Sequence, residues 1–224
     1  MIKAVIFDMF ETLVTLFEGR TYFSENMAED IGVDLTQFRK VWHESEYDRS
    51  IGKMTMRDGI ADTLRKIGKY DDEAVDRLFE KRLAALGDTF SAIPQESVDL
   101  LKGLKERGIK VGLITNTFSD ERDKVRASEL FPFFDAAMIS YEQGVLKPDP
   151  VMYLKIMDEF GVEPAECLYV GDGGSKELYA ARNLGMKAVQ ALWFHDRAFE
   201  PHIPCRELPE FPHAMKQAEI FDFI

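Results

Sequence analysis

The chain has 224 residues, of which 46% are hydrophobic and 30% charged. That supplies one substantial buried core and a smaller second one, and it argues against a disordered segment. Its 28 basic and 40 acidic residues leave a net charge of −12, so the average surface repels nucleic acid and anionic membranes, although a locally positive cleft can still draw in a small anion.

In chain order, Val5-Ile6-Phe7 reads as a first strand that runs out at Asp8. This apolar run is too short for a secretory signal or a membrane span, and a soluble cytoplasmic protein is expected. Beyond Leu13 the pattern changes. From about Leu16 to Phe90 apolar residues recur at helical spacing, as at Phe38, Val41 and Trp42 and again at Ala74, Leu78, Leu83 and Leu86, with no convincing strand. Asp34 and Asp71 stand before two of these stretches as helix N-caps, and Gly52, Gly68 and Gly87 mark interruptions or ends.

After Ile93-Pro94 helices and strands alternate. Helices are expected at Glu96–Arg107, Asp120–Glu129, Pro150–Phe160 and Ser175–Leu184, and strands at Lys110–Ile114, Ala136–Ile139, Cys167–Val170 and Lys187–Ala191. The pattern predicts an α/β fold, a doubly wound parallel sheet built from residues 1–15 plus 91–224, interrupted by an all-helical unit at residues 16–90. An insert leaving the chain just after the first strand must sit above the carboxyl end of the sheet. The tail after Trp193, with Pro201, Pro204, Pro209 and Pro212, reads as an irregular wrap ending in a short helix. Of the two cysteines, Cys167 and Cys205, the first opens an apolar run and behaves as a small buried hydrophobe, and no disulfide framework is indicated.

Four segments place a polar residue where an apolar run ends: Asp8, Thr115-Asn116, Lys147 and Asp172. Ligands of an open parallel sheet bind outside the carboxyl ends of its strands, so these side chains should converge. Taken singly, each has a plain structural use: a helix cap for Asp8, a turn cap for Thr115-Asn116, an exposed loop lysine for Lys147, a favourable dipole contact for Glu177. Together they describe a reaction site. An ionised Asp8 can attack phosphorus to form an acyl-phosphate, and because two anions must then approach each other the site needs a hard divalent cation and a lysine. Asp8, Asp172 and Glu177, the last two at either end of a glycine-bearing loop, suit Mg2+. Lys147 neutralises the transferring group, and Thr115, Asn116 and the amides after Asp8 take the remaining anion oxygens.

The ordered set Asp8-Met9-Phe10-Glu11-Thr12, Ile114-Thr115-Asn116, Lys147-Pro148 and Gly171-Asp172 through Glu177 resembles the haloacid dehalogenase superfamily of aspartate-nucleophile hydrolases, over the whole chain. The resemblance implies a Rossmann-like core with a helical first-position cap over residues 16–90. It casts Asp8 as nucleophile, Thr115 as the phosphate-binding hydroxyl, Lys147 as charge neutraliser, and Asp172 and Glu177 as metal-binding acids, with the backbone carbonyl of Phe10 as a further magnesium ligand. The implied reaction is magnesium-dependent hydrolysis of a small phosphorylated metabolite through an aspartyl-phosphate, by a monomer or a homodimer with no nucleic-acid or membrane partner.

One departure bears on the chemistry. Phosphatases of this superfamily usually carry a second aspartate two positions after the nucleophile to protonate the leaving oxygen, and here that position is Phe10. General acid–base catalysis contributes roughly 10²- to 10⁴-fold, so its loss weighs most on poor leaving groups. An aromatic residue at this position also resembles the metal-independent 2-haloacid dehalogenases, which do not keep the acidic loop at 171–177. A phosphonate hydrolase using Lys53 as a Schiff-base lysine, or a catalytically weak metabolite-binding protein, is also compatible with the absence of that second aspartate. Glu11 stands where the superfamily often has glycine and is expected to be structural rather than a substitute acid. Phe38, Trp42 and Tyr47 are expected to pack, and His195 and His202 show no ligand spacing.

Overall fold

A computed structural model describes residues 1–224. Strands β1 (Ala4–Phe7), β2 (Lys110–Thr115), β3 (Ala136–Ile139), β4 (Cys167–Gly171), β5 (Lys187–Ala191) and β6 (His213–Ala214) form one parallel sheet in the order β3-β2-β1-β4-β5-β6. The central strand is buried at all four residues, so its two alternating faces both need apolar side chains. Val5 and Phe7 pack with Leu100, Leu101 and Leu104 of α6 (Gln95–Glu106) and Val125 of α7 (Ser119–Ala127). Ala4 and Ile6 pack with Tyr153 and Ile156 of α9 (Pro150–Phe160) and Leu178 and Ala181 of α10 (Glu177–Asn183). Helix α9 approaches β2 closely enough to require a glycine, since a Cβ on Gly112 would lie 2.7 Å from Ile156 Cδ1 and 3.1 Å from Phe160 Cε2.

Between β1 and α6 lie helices α1 (Ser24–Asp30), α2 (Leu35–Glu44), α3 (Glu46–Ser50), α4 (Met56–Lys66) and α5 (Asp72–Ser91), with no strand. Asp34 and Asp71 cap α2 and α5 as expected, accepting from the amides of Gln37 and Ala74. Gly52 and Gly68 end helical stretches in the left-handed region, at φ +80° and +72°. Gly87 differs from expectation: α5 runs through it to Ser91, because the buried face carrying Leu78, Ala85, Leu86 and Thr89 continues past it. Met27, Phe38, Trp42, Met56, Ile60, Leu64 and Leu78 form this unit's own core.

Three contacts dock the helical unit over the carboxyl ends of β2 and β3. Arg82 of α5 reaches Asp120 at 2.5 Å and Glu121 at 2.6 Å on α7, with all three side chains buried or nearly so. The Met56 amide donates to Ser119 Oγ at 2.8 Å. Ser140 Oγ, at the start of α8 (Ser140–Gln143), donates to the Ser50 carbonyl at 2.9 Å.

The observed strands and long helices lie within three residues of the expected bounds. Helix α10 starts at Glu177 rather than Ser175 because Gly173 and Lys176 adopt positive φ. Neither α8 nor β6 has a counterpart among the expected elements, since both are too short to show a period. The tail does end in a short helical stretch, Gln217–Phe223, whose Ile220 enters the core beside α6. No helix is long and apolar enough to cross a membrane.

Gly112→Ala crowds the side chains of Ile156 and Phe160 against β2, and overpacking of this kind costs about 1–3 kcal/mol. A lowered urea midpoint with an unchanged denaturant slope is the expected outcome, and an unchanged midpoint contradicts the packing described.

Candidate active site

The sheet's topology gathers the motif residues at its carboxyl edge, where the chain departs on one side of β1 toward β2 and on the other toward β4. Asp8 follows β1, its amide still bonded to the Val170 carbonyl at 2.9 Å. Lys147, 5% exposed, comes from the loop after α8. Its backbone amide donates to Asn116 Oδ1 at 2.9 Å, which anchors the loop to the end of β2. Its ammonium lies 2.7 Å from Asp8 Oδ1 and donates to Glu177 Oε2. The Met9 amide also donates to Asp8 Oδ1, at 2.8 Å, so both donors converge on one oxygen and leave Oδ2 clear of them.

Glu177 is wholly buried, and its Oε1 accepts from the Gly173 amide at 3.1 Å. Only a glycine at position 171 leaves space for it, because a Cβ there would lie 2.2 Å from Glu177 Oε1. Asp172 accepts from the Gly174 amide at 3.0 Å and from Cys205 Sγ at 3.0 Å. Carboxylate oxygens of Asp8, Asp172 and Glu177 fall within 4.8 Å of one another.

This clustering shifts the protonation of every member. Burial, followed by the charge of Glu177, pushes Asp8 up to about 6, although Lys147 and the Met9 amide work the other way. Burial likewise raises Glu177, and burial with the charge of Asp8 raises Asp172. For Lys147 burial opposes the charge, but Asp8 and Glu177 overcome it and hold the ammonium above the ordinary lysine value. One ammonium thus faces three clustered acids, two of them buried and Asp172 partly so. Oxygen donors this close, with Asp8 Oδ2 unengaged, have the hardness and excess negative charge that fit a small divalent cation.

Thr115 ends β2 and is buried, its hydroxyl making only a 3.5 Å contact with the Asn116 carbonyl. Asn116 Nδ2 reaches Ser175 Oγ at 3.4 Å, bridging the loop after β2 to the loop after β4. The Phe10 ring makes an edge-to-face contact with Phe90, 6.2 Å between centroids. Glu11 has φ +54°, the left-handed conformation that glycine adopts most readily, and its carboxylate accepts from Thr15 Oγ1 at 2.7 Å and the Leu16 amide at 2.8 Å. Burial pushes it up to about 7. It closes the turn, as the structural expectation holds.

The family model described as haloacid dehalogenase-like hydrolase matches residues 2–185. The chain belongs to the haloacid dehalogenase-like hydrolases. Among curated relatives it is 38% identical over 103 residues to a glyceraldehyde 3-phosphate phosphatase of Pyrococcus furiosus, covering 46% of this chain and 41% of that protein. It is 36% identical over 110 residues to a phosphoserine phosphatase of Thermus thermophilus, covering 49% of this chain and 43% of that protein. The chain thus matches less than half the length of these two. A glyceraldehyde 3-phosphate phosphatase of Methanopyrus kandleri is 30% identical over 207 residues, covering 85% and 84% of the two chains. The fold is shared with a 2-haloacid dehalogenase of Pseudomonas syringae (TM-score 0.70, 23% identity, 99% and 97% covered). It is shared also with an enzyme of Bacteroides thetaiotaomicron solved in complex with magnesium and inorganic phosphate (TM-score 0.61, 20% identity, 85% and 94% covered).

Within this haloacid dehalogenase-like chain some contacts had no sequence signal. Cys205 lies between prolines in the tail, 33 residues from its partner Asp172. Tyr47, expected to pack with Phe38 and Trp42, is exposed instead and lines a cavity above Asn116 and Ser175. Its position on α3 points it off the face that Trp42 buries. Lys53 is a surface residue, 3.7 Å from Asp48. His195 and His202 bond to the Cys205 carbonyl and to Glu25.

A pH dependence follows from Asp8. The folded carboxyl holds its proton to about pH 6, whereas the unfolded chain releases it near 3.8, so this group favours folding below about pH 4 and loses that contribution as the pH rises through 6. In protein stripped of divalent cations, the stability of the wild type relative to Asp8→Asn therefore falls between pH 4 and pH 6. Urea titrations at a series of pH values check this, and a flat difference contradicts the burial and crowding of Asp8.

Proposed function

We propose that the protein is a magnesium-dependent phosphatase of small phosphorylated metabolites, working through an aspartyl-phosphate on Asp8, with residues 16–90 as the cap over a core of residues 1–15 plus 91–224. The observation that carries this reading is the asymmetric engagement of Asp8: Oδ1 is pinned by Lys147 and the Met9 amide, while Oδ2 takes no hydrogen bond and the carboxyl clusters with Asp172 and Glu177. The names of the relatives, phosphatases of glyceraldehyde 3-phosphate and of phosphoserine, support a small phosphomonoester as substrate. The magnesium and inorganic phosphate bound in the Bacteroides thetaiotaomicron enzyme support the cation.

In this reading Asp8 Oδ2 attacks phosphorus, the bond from phosphorus to the ester oxygen breaks, and the electron pair leaves with that oxygen. Lys147 holds negative charge on the transferring group, and the Thr115 hydroxyl and Asn116 amide orient its other oxygens. Water then attacks phosphorus of the acyl-phosphate and returns Asp8 to its carboxylate. Asp8, Asp172 and the Phe10 backbone carbonyl would hold Mg2+, which when bound offsets the charge of the phosphoryl group against the acids. Glu177, with both oxygens engaged by Lys147 and Gly173, acts on the cation chiefly by orienting Lys147 and adding negative charge.

Phe10 places no proton near the leaving oxygen. The substrates turned over best are therefore those whose alcohols leave without help, or which bring their own proton donor. The same residue favours a second reading, carbon–halogen cleavage, in which the leaving halide needs no proton; against it stands the cost of gathering Asp172 and Glu177 beside Asp8 with no cation.

Hydrolysis of p-nitrophenyl phosphate that is lost with chelator and with Asp8→Asn is the expected outcome, and chelator-resistant halide release from 2-haloacids would favour the second reading instead. Phe10→Asp restores a proton donor and should raise the rate on alkyl phosphates, by as much as roughly 10²-fold, with a far smaller effect on the activated ester. Steady-state kinetics on the two ester types separate these outcomes.

A further inference from the structure

Between the core and the helical unit lies a cavity of about 510 Å³, within the range of small-molecule sites. Its core side is formed by Asn116 and Ser175, and its helical side by His43 of α2 and Glu46, Tyr47 and Ser50 of α3. Asn116, in the lining, holds the Lys147 backbone, and Lys147 holds Asp8, so the cavity neighbours the place where the phosphoryl group would sit. A leaving group that passes Asn116 and Ser175 enters this cavity.

The lining is polar and carries no lysine or arginine. The two nearest arginines are committed elsewhere. Arg82 is taken by Asp120 and Glu121. Arg49 is wholly buried, its guanidinium stacked 3.6 Å from the Trp42 ring centroid and donating to Ser45 Oγ at 2.9 Å. The charged side chains that do line the cavity are acidic: Glu121, neutralised by Arg82, and Glu46, half-exposed and bonded to His43 Nδ1 at 2.6 Å. A carboxylate or a second phosphate entering here would meet Glu46, whose carboxylate is bonded to His43, with no lysine or arginine in the lining to compensate it, whereas hydroxyls and ammonium groups find acceptors.

We propose that this cavity receives an uncharged, hydroxyl-bearing or ammonium-bearing leaving group, and that Glu46 is the specificity residue that rejects a second anionic group on the substrate. The assignment rests on the phosphatase reading. It narrows the substrate class to phosphomonoesters of polyols and amino alcohols and sets phosphorylated carboxylic acids and diphosphates apart.

The test compares kcat/KM for glycerol 1-phosphate, phosphoethanolamine and phosphoglycolate, with p-nitrophenyl phosphate as an activated reference, in wild type, Glu46→Lys and Glu46→Gln. Wild type should prefer the first two over phosphoglycolate by about tenfold or more, since like charges placed together strongly disfavour the wrong partner. Glu46→Lys should shrink that ratio by a similar factor, mainly through the KM of phosphoglycolate, with Glu46→Gln in between; position 46 is on the surface, so neither change disturbs a core. Equal or better use of phosphoglycolate by wild type, or a ratio that neither substitution moves, overturns the assignment. Asp8-dependent turnover of the activated ester reports the phosphatase reading separately: present with the wrong ratio, it removes the cavity assignment alone; absent, it removes both.

Discussion

The ammonium of Lys147, held between Asp8 and Glu177, is the interaction on which the arrangement of the site depends. Burying carboxylates together is unfavourable unless a cation joins them, and removing one partner of a buried ion pair typically costs about 3–5 kcal/mol because the other is left uncompensated. The surrounding backbone is shaped to that end. Gly171 yields the space that Glu177 fills, Asn116 fixes the loop that delivers Lys147, and the Met9 amide shares Asp8 Oδ1 with the ammonium. One lysine does not neutralise three acids, and the surplus makes the same edge of the sheet receptive to a further cation. In the proposed reaction a phosphoryl anion would meet the two positive charges together rather than either alone.

Much of this is legible in the order of residues, for physical reasons particular to each element. Strands β1, β2 and β4 are buried on both faces, so they read as unbroken apolar runs, and a polar residue at the end of such a run stands out, as Asp8, Thr115 and Asp172 do. Asp34 and Asp71 announce helices because a short acceptor before an amphipathic run satisfies otherwise unpaired amides. Contacts made across long sequence separations leave no such mark. Nothing near Arg82 signals its partners on α7, nothing near Cys205 signals Asp172, and Tyr47 has the same helical spacing as Phe38 and Trp42 while facing the opposite way. Gly87 misleads for a related reason, since the buried face of α5 outweighs the weak helix propensity of one glycine.

The seating of the helical unit balances strong and incomplete interactions. Arg82 gives two charge-assisted bonds in a buried setting, which are among the stronger polar contacts available. Close by, Arg49 Nε and Nη2 and Asp120 Oδ1 are buried with no hydrogen-bond partner. Such a unit is held by its ion pair, two hydrogen bonds and local apolar contacts through Phe90 and Phe118, its own hydrophobic core being separate from the two that flank the sheet. The cavity between the two parts inherits that polarity, and this is why its selectivity is electrostatic more than steric.

Phe10 links the nucleophile's turn to the seating of the helical unit. Where relatives of this superfamily are expected to carry an acid, the side chain here turns to meet Phe90 edge-on, in a geometry worth about 0.5–1.5 kcal/mol beyond simple burial. Phe90 lies at the end of α5, the helix that carries Arg82 onto α7. The turn bearing Asp8 is therefore packed against the last turn of the helix that seats the helical unit, and Glu11 stabilises that turn in a left-handed conformation by accepting from Thr15 and Leu16. A proton donor has been exchanged for a mechanical contact. In the proposed mechanism the attack on phosphorus does not need a side-chain contact from position 10, since none of those of Asp8, Lys147 and the acidic loop involves it, and the burden of protonating the leaving oxygen falls to the substrate.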